Sequence, residues 1–313
     1  MRQRFQPGKQ TMNQKIIVTG GTGFIGQHTV VDLLERGHEV IVPTSRKGDH
    51  QIEGATYILC DLTDPSAMKD LVEEVRADTL VHIAWRAAVS GLWGAPENTT
   101  WLQASLALGR AFLDAGGKRI ALCGSCGEYD WTSGMCIEDV TPLRPNTIYG
   151  ASKVSVMHGL TAMCEVAGAS LVTGRPFFIY GPREHESRLT AYVIKSLLNG
   201  KDAECSHGMQ LRDYSHVADV GRGMSALAVS DLTGEYNIGS GEAVRVKDVI
   251  LEIAKEVGRP DLVKIGARAA PAFEPALIVA DMSKTRTSEL DWEPRFTLES
   301  GVADAITWFR QYG

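Results

Sequence analysis

One short stretch, TGGTGFIG at positions 19–26, limits the possible folds of this chain more than any other feature of its sequence. It follows an apolar run that begins at Lys15 and precedes an amphipathic segment, as in a strand, a turn and a helix. The glycines Gly20, Gly23 and Gly26 allow a tight turn, close approach of the backbone to a pyrophosphate, and packing of the helix on the strand. Ordinary strand-to-helix turns also contain glycine, but this spacing in this context favours a dinucleotide-binding turn.

Short apolar runs alternate with amphipathic segments through the first 175 residues. This alternation predicts an α/β fold, a Rossmann-type doubly wound parallel sheet with helices on both faces. Beyond Pro176 the alternation becomes irregular, which indicates a smaller C-terminal substrate-binding lobe interleaved with the sheet domain. The predicted division is a flexible lead at 1–14, a dinucleotide-binding domain at 15–175 with about 213–240, and the lobe at 176–212 and 241–313.

The composition excludes several classes of function. The chain carries 32 Lys and Arg residues against 38 Asp and Glu residues, so a nucleic-acid or anionic membrane surface is not expected. No apolar run approaches the roughly 20 residues of a membrane span. The polar N-terminal segment does not resemble a secretory signal, and the six cysteines do not form a disulfide framework. These features predict a cytoplasmic protein with reduced thiols.

The end of the second predicted strand, VIVPTSRKG, bears on the choice of cofactor. A carboxylate at this place hydrogen-bonds the ribose 2′-OH of NAD, whereas a cation accommodates the 2′-phosphate of NADP. Here Thr44, Ser45 and Arg46 occupy the place, which favours NADP(H) and leaves NAD(H) possible. The alternative is a solvated loop charge. Asp61 and Leu62, after the third strand, are expected beside the adenine ring.

A second motif, YGASK, places Tyr149 and Lys153 four residues apart on one face of a predicted helix. A free tyrosine titrates near ~10. A nearby ammonium and a positive nicotinamide ring are expected to lower that pKa by roughly 1–3 units, which suits a proton shuttle. The motif is weak alone, but here it follows a dinucleotide turn and lies 24 residues after Ser125 at a strand end.

These residues resemble the extended short-chain dehydrogenase/reductase family, which contains nucleotide-sugar epimerases, dehydratases and ketoreductases. The likeness extends from Lys15 over almost the whole chain and rests on TGGTGFIG, GSCGEY, YGASK, RPFFIYGP, RDYSHVADV, YNIGSGE and ELDWEP. It implies that Ser125 orients the reacting sugar oxygen, Tyr149 is the acid/base and Lys153 is its electrostatic partner. The predicted cofactor contacts are Gly20, Gly23, Phe24, Ile25, Gly26, Thr44, Ser45, Arg46, Asp61, Leu62, Ala84, Tyr149, Lys153 and Pro176.

Two cysteines, Cys123 and Cys126, flank Ser125. A metal site would need a second ligand pair, and a redox pair would need a thioredoxin-like helix; neither pattern is present. We therefore expect no metal, with Cys123 in the core and Cys126 near the substrate.

The resemblance also bears on the type of reaction. Dehydratases of the family carry an Asp-Glu pair where this chain has Cys126 and Gly127, so dehydration is not expected. Two reactions remain, a 4-ketoreductase that uses NADPH on an NDP-4-keto-(6-deoxy)sugar, which is favoured, and an NAD-dependent 4-epimerase. A non-catalytic dinucleotide-binding regulator is a third hypothesis. His185 is a candidate second acid or an ordinary surface histidine.

The implied substrate is a nucleotide-diphosphate sugar. Arg212 matches a family arginine at the diphosphate, Arg188 stands where the 4-epimerases carry an asparagine, and Glu274 lies near a residue that holds the ribose. Each could instead be a solvated surface charge. Phe178 replaces a family asparagine in RPFFIYGP, which puts the position of the sugar in doubt.

Two further expectations concern surfaces. Trp85, Trp93 and Trp131 lie at the predicted carboxyl edge of the sheet, where they shape an apolar pocket or pack in the core. The segments TTWLQASLALGRAFLDA and YGASKVSVMHGLTAMCEV resemble the family's pairing helices, which predicts a homodimer.

Overall fold

The structure is a computed structural model, and it describes residues 13–46, 51–85, 91–270 and 274–313. Residues 1–12 of the predicted lead therefore lie outside the described residues. The described strands are β1 Lys15–Thr19, β2 Glu39–Thr44, β3 Thr56–Leu59, β4 Thr79–His82, β5 Arg119–Cys123, β6 Met135–Cys136, β7 Ser170–Pro176, β8 Phe178–Tyr180, β9 Ala203–Cys205, β10 Leu211–Arg212, β11 Tyr214–His216, β12 Gly234–Ile238, β13 Val244–Arg245, β14 Val263–Ile265 and β15 Leu277–Ala280.

The α-helices connect these strands. They are α1 Gly26–Glu35, α2 Pro65–Val75, α3 Glu97–Asp114, α4 Ile148–Ala167, α5 Leu189–Leu198, α6 Val217–Val229, α7 Val246–Val257, α8 Ser283–Thr287 and α9 Leu298–Tyr312. Short 3₁₀ turns cover Leu92–Gly94, Cys126–Glu128, Trp131–Ser133 and Pro260–Leu262.

The main sheet has seven parallel strands in the order β12-β7-β5-β4-β1-β2-β3. Its strand β1 contains Ile16, Ile17 and Val18, all fully buried, because both faces of the sheet are covered. One face packs on α2, α3 and α4, and the other packs on α1 and α6. This is the doubly wound sheet that the alternation predicts.

The C-terminal part of the chain has its own core among α5, α7 and α9. A four-stranded sheet of order β13-β10-β15-β6 adjoins the large sheet. Its edge strand β6 comes from residues that the predicted division assigned to the dinucleotide-binding domain, since β6 pairs with β15. The two-part division of the chain stays a prediction.

Candidate active site

Glycines of the turn after β1 stand where a side chain has no room. Gly20 has a φ of +70°, and a Cβ there would lie 2.8 Å from the backbone nitrogen of Ala84. A Cβ on Gly26 would overlap the carbonyl oxygen of Gly20, which accepts a 2.9 Å hydrogen bond from the Gly23 N–H. No side chain caps α1, so the positive end of its dipole is left to a ligand. This cradle fits a dinucleotide diphosphate.

A cavity of about 480 Å³ opens beside this turn. It brings together many of the predicted residues: Gly20, Gly23, Phe24, Ile25, Gly26, Ala84, Ser125, Cys126, Tyr149, Lys153, Pro176 and Arg188. Seven predicted residues are not in its lining: Thr44, Ser45, Arg46, Asp61, Leu62, Arg212 and Glu274. The cavity therefore joins the glycine turn to the predicted catalytic group, and the other predicted contacts lie beyond it.

The ends of β2 and β3 form a separate corner of the same sheet edge. Arg46 is exposed, and its N–H donates to the Thr44 hydroxyl at 3.3 Å. The Asp61 carboxylate accepts hydrogen bonds from the N–H and the hydroxyl of Thr63 at 2.9 and 2.8 Å. The only carboxylate that the described residues place directly after these two strands is thus engaged locally, while the Arg46 cation faces solvent.

The helix α4 presents Tyr149 and Lys153 to the cavity. The Thr147 hydroxyl caps the helix by accepting from the Gly150 N–H at 3.1 Å, which puts Tyr149 in the first turn. The ammonium of Lys153 is buried, donates to the Cys123 carbonyl at 2.9 Å and lies 4.2 Å from the centre of the Trp85 ring. The helix thereby ties the predicted acid/base to the end of β5.

Burial raises the pKa of Tyr149, and a hydrogen bond with Ser125 opposes that rise. Burial also lowers the pKa of Lys153. In the protein alone the pKa of Tyr149 is therefore raised, and the lowering expected with a bound nicotinamide ring stays a prediction. The physical reason is that the loss of solvation outweighs the Ser125 hydrogen bond, while the ammonium is directed at a backbone carbonyl. Tyr149 is protonated at neutral pH in this state, which suits a proton donor.

A buried ion pair that was not predicted supports Ser125. Glu128 is fully buried and accepts from the Ser125 N–H at 2.7 Å and from Arg175 Nε at 2.7 Å. Arg175 in turn donates to the Tyr129 hydroxyl at 3.3 Å. The capping-box spacing, with Ser125 and Glu128 three apart, is a sequence signal that could have found this group.

Both cysteines beside Ser125 line the cavity and are buried as thiols. Burial raises the pKa of Cys123 to about 11 and raises that of Cys126 further. At neutral pH neither is a thiolate, the form that reacts or binds metals. Among the described residues, no group of three or more His, Cys, Asp or Glu side chains is arranged to hold a metal.

The segment after β8 contributes charge that the motif analysis largely missed. Arg183, Glu184 and His185 line the cavity together with Arg188. Glu184 is buried, accepts from the Thr190 hydroxyl and from the Ala191 N–H at 3.2 Å, and burial raises its pKa to about 7. A short polar run carries no local signal that one of its carboxyls is buried.

Arg212 and Glu274 lie behind the cavity wall and pair with each other. Arg212 is buried, and its guanidinium lies 3.2 Å from the Glu274 carboxylate and 5.3 Å from the centre of the Phe178 ring. Glu274 also accepts from Gln210 at 3.0 Å. Phe178 lines the cavity, whereas Arg212 and Glu274 do not.

The doubly wound sheet, the glycine cradle and the serine, tyrosine and lysine around one cavity define a dinucleotide-binding enzyme. The model of the NAD dependent epimerase/dehydratase family matches residues 16–239, and the chain belongs to this family. The family that the motifs resemble, the Rossmann-type fold and an enzyme of this kind are thus confirmed. No helix among the described residues is long and apolar enough to cross a membrane.

Relatives of known function span nearly the whole chain. A UDP-glucose 4-epimerase of Halalkalibacterium halodurans is 28% identical and aligns over 95% of this chain and 96% of its own length. The crystal structure of the Thermus thermophilus UDP-glucose 4-epimerase in complex with NAD is 26% identical, with a TM-score of 0.85 over 96% of this chain and 100% of that chain. MoeE5, solved with UDP-glucose and NAD, is 29% identical, with a TM-score of 0.82 over 95% and 99%.

Proposed function

We propose that this protein is an NAD(P)-dependent oxidoreductase that acts at C4 of a nucleotide sugar. The reaction that we favour is reduction of an NDP-4-keto-(6-deoxy)sugar with NADPH. The observation that carries the proposal is the placement of Ser125, Tyr149 and Lys153 around the cavity that the glycine turn opens into. A UDP-glucose 4-epimerase and a structure solved with UDP-glucose, both similar to this chain, support the nucleotide sugar as the class of substrate.

The glycine turn, Ala84, Pro176 and Lys153 would hold the dinucleotide. When bound, the nicotinamide supplies the hydride for the carbonyl carbon. Ser125 donates to the sugar oxygen and orients it, and the buried Tyr149 hydroxyl delivers the proton to that oxygen. Lys153 stabilises the tyrosinate that forms, because its ammonium is held in the next turn of the same helix.

NADPH is favoured because of the corner at the ends of β2 and β3. Arg46 is exposed there, and the Asp61 carboxylate accepts hydrogen bonds from Thr63. A guanidinium suits a 2′-phosphate, which a free carboxylate would repel. Residues 47–50, which follow Arg46, lie outside the described residues.

An NAD-dependent 4-epimerase is the second candidate, and the comparisons favour it. The Halalkalibacterium halodurans relative and the Thermus thermophilus structure are both UDP-glucose 4-epimerases, and the latter contains NAD. The same three side chains would serve both directions of proton transfer in such a reaction. A dehydratase is disfavoured because Cys126 and Gly127 offer no carboxyl group beside Ser125.

The experiment that separates these candidates begins with the nucleotide content of the freshly purified protein, measured by mass spectrometry after denaturation. The reductase predicts protein without tightly held NAD⁺ that oxidises NADPH in the presence of a dTDP- or UDP-4-keto-6-deoxyglucose. Stoichiometric NAD⁺ together with interconversion of UDP-glucose and UDP-galactose would establish the epimerase. Neither activity with any nucleotide sugar would favour the non-catalytic regulator.

We also propose a homodimer that pairs through α3 and α4. These helices pack closely on each other, since a Cβ on Gly159 of α4 would meet the Leu106 side chain of α3 at 2.6 Å. The α4 residues Ile148 and Val166 are exposed, at 43% and 92%. Light scattering at micromolar concentration should give twice the chain mass of 34.0 kDa.

The cytoplasm, with reduced thiols and NADPH, is the compartment in which we expect this enzyme.

A further inference from the structure

Two indole rings enclose the ring of Tyr149. Trp85, shortly after β4, meets it edge to face with ring centres 6.0 Å apart and an interplanar angle of 85°. Trp93, in the 3₁₀ turn Leu92–Gly94, meets it at 5.5 Å and 81°. Both indoles line the cavity. These two indoles, which contact the ring of the proposed proton donor, are the apolar walls of this part of the cavity.

One buried side chain, Asn98, is hydrogen-bonded both to Trp85 and to the backbone on either side of Trp93. Asn98, near the start of α3, accepts a 2.8 Å hydrogen bond from the indole N–H of Trp85. Its amide nitrogen donates to the carbonyls of Leu92 and Ala95 at 2.7 and 2.9 Å, on either side of Trp93. Asn98 is 1% exposed and uses both ends of its amide, so the two walls have a fixed relation to each other.

Trp93 is also supported by a third indole. Its ring meets Trp131 at 5.2 Å and 88°, and the indole N–H of Trp131 donates to the Cys126 carbonyl at 2.8 Å. A Cβ on Gly127 would lie 2.9 Å from the Trp93 ring, so a glycine beside Ser125 is what admits the indole. Trp93 still exposes 39% of its surface, and this turn lines the cavity.

Among the described residues, the charged side chains of the cavity lining belong to Lys153 and to the segment 183–188 that follows β8. Lys153 donates to the Cys123 carbonyl and lies over Trp85. The side chains of Trp85, Leu92 and Trp93 offer no charge and no hydrogen-bond acceptor on the walls beside Tyr149. A hydroxyl in contact with only the ring and alkyl carbons of these side chains loses its hydrogen bonds to water without a replacement.

We infer that Trp85 and Trp93 select a 6-deoxy sugar, with a methyl group rather than a hydroxymethyl group on C5; this rests on the proposed function. If Tyr149 acts at C4, the substituents of C3 and C5 are the nearest to its ring. C3 carries a hydroxyl in both glucose and 6-deoxyglucose, so the C5 substituent is what the walls distinguish. A methyl group gains from contact with the indoles, whereas a hydroxymethyl group leaves its oxygen unpaired there.

The test is calorimetric binding to the full-length Tyr149→Phe protein saturated with NADP⁺ or NAD⁺, which binds without turnover. The probes are UDP-6-deoxyglucose, UDP-glucose and UDP, with the dTDP series in parallel. We expect the 6-deoxy sugar nucleotide to bind about 10-fold to 100-fold more tightly than its 6-hydroxy counterpart. Adding Trp93→Gln should bring that ratio close to one without weakening binding of the nucleotide alone, whereas Trp93→Phe, which keeps an apolar ring, should preserve it.

The outcomes separate this inference from the proposed function. Equal binding of the two sugar nucleotides to the protein with Trp93 intact would overturn the selection and leave a nucleotide-sugar enzyme in place. Preference that survives Trp93→Gln in a variant with an unchanged melting temperature would also overturn it. Failure of every nucleotide and sugar nucleotide to bind would remove the proposed function itself, and the inference with it.

Discussion

The two ends of the cavity are built in opposite ways. The proposed cofactor end is centred on seven consecutive residues, Gly20 to Gly26, where a Cβ on Gly26 would overlap the backbone of Gly20. The proposed substrate end is assembled from Tyr149 and from the distant segments 92–93, 123–126 and 183–188, which meet only in the folded chain. A local steric requirement is visible in sequence, whereas a wall made of distant segments is not. The same difference predicts how each end responds to substitution.

The largest expected effect is at the substrate end. Tyr149→Phe removes the proposed proton donor and should lower kcat by about 10²–10⁴-fold while leaving the dissociation constant of NADPH within a factor of two or so. Steady-state kinetics and fluorescence titration measure the two quantities. Tyr312→Phe, an exposed tyrosine at the end of α9, is the matched control and should change neither. If Tyr149→Phe weakened NADPH binding by as large a factor as it lowers kcat, the two ends of the cavity would not act independently.

The buried pair beneath Ser125 lies under both ends. Glu128→Gln leaves the Arg175 guanidinium buried without its carboxylate, and such a loss typically costs about 3–5 kcal/mol of the free energy of unfolding. Urea denaturation measures it. Glu73→Gln, which removes only an exposed pair at 3.7 Å with Lys69, should stay within about 0.5 kcal/mol. A similar midpoint for both variants would contradict the structural role of the Glu128 pair.

Gly26→Ala tests the local steric requirement at the cofactor end. Its Cβ would overlap backbone atoms of Gly20 and Gly21, which cannot rotate away as a side chain can. Overpacking of this kind costs about 1–3 kcal/mol, so dinucleotide binding should weaken by up to about 100-fold. Gly94→Ala, at the substrate end, places its Cβ where nothing lies within 4 Å and should bind dinucleotide normally. Equal affinity of Gly26→Ala and Gly94→Ala for the dinucleotide would contradict the contrast between the two ends.

The buried carboxyl group of Glu184, at the substrate end, makes the stability of the protein depend on pH. Burial raises its pKa from 4.5 to about 7, so the folded state holds the proton more tightly than the unfolded state. Stability from this group is complete below about pH 4.5 and is lost as the pH rises through about 7. Relative to the parent protein, we expect the free energy of unfolding of Glu184→Gln to rise by about 1–3 kcal/mol between about pH 5 and pH 8, as measured by urea midpoints. Parallel curves for the two proteins would show that Glu184 ionises normally.

The smallest expected effect concerns the corner outside the cavity. Arg46→Ala should weaken NADPH binding about 10-fold, because the loss of one exposed charge-assisted contact is partly screened by water, and should leave NADH binding unchanged. Lys69→Ala, an exposed cation on α2, is the control for net charge. If both dinucleotides weaken equally, Arg46 does not read the 2′-phosphate.

Several features of this protein are determined by the sequence alone. The alternation of apolar and amphipathic runs predicts the parallel sheet, because period and polarity decide what can be buried on two faces. The clearance at Gly26, where a Cβ would meet Gly20, and the four-residue spacing of Tyr149 and Lys153 are likewise local, since both depend on near neighbours in the chain. The family follows from these motifs, and it is confirmed.

Other features are decided only by tertiary structure. Its sequence context predicts that Arg212 contacts a diphosphate, yet Arg212 is buried, paired with Glu274, 62 residues away, and lies over the Phe178 ring. The raised pKa of Tyr149 comes from burial, which the YGASK spacing does not report. Asn98 acquires its role because it reaches Trp85 and the Leu92 carbonyl together. In each case the energy depends on desolvation and on partners from distant segments, and those are set when the chain packs, not by the residues on either side.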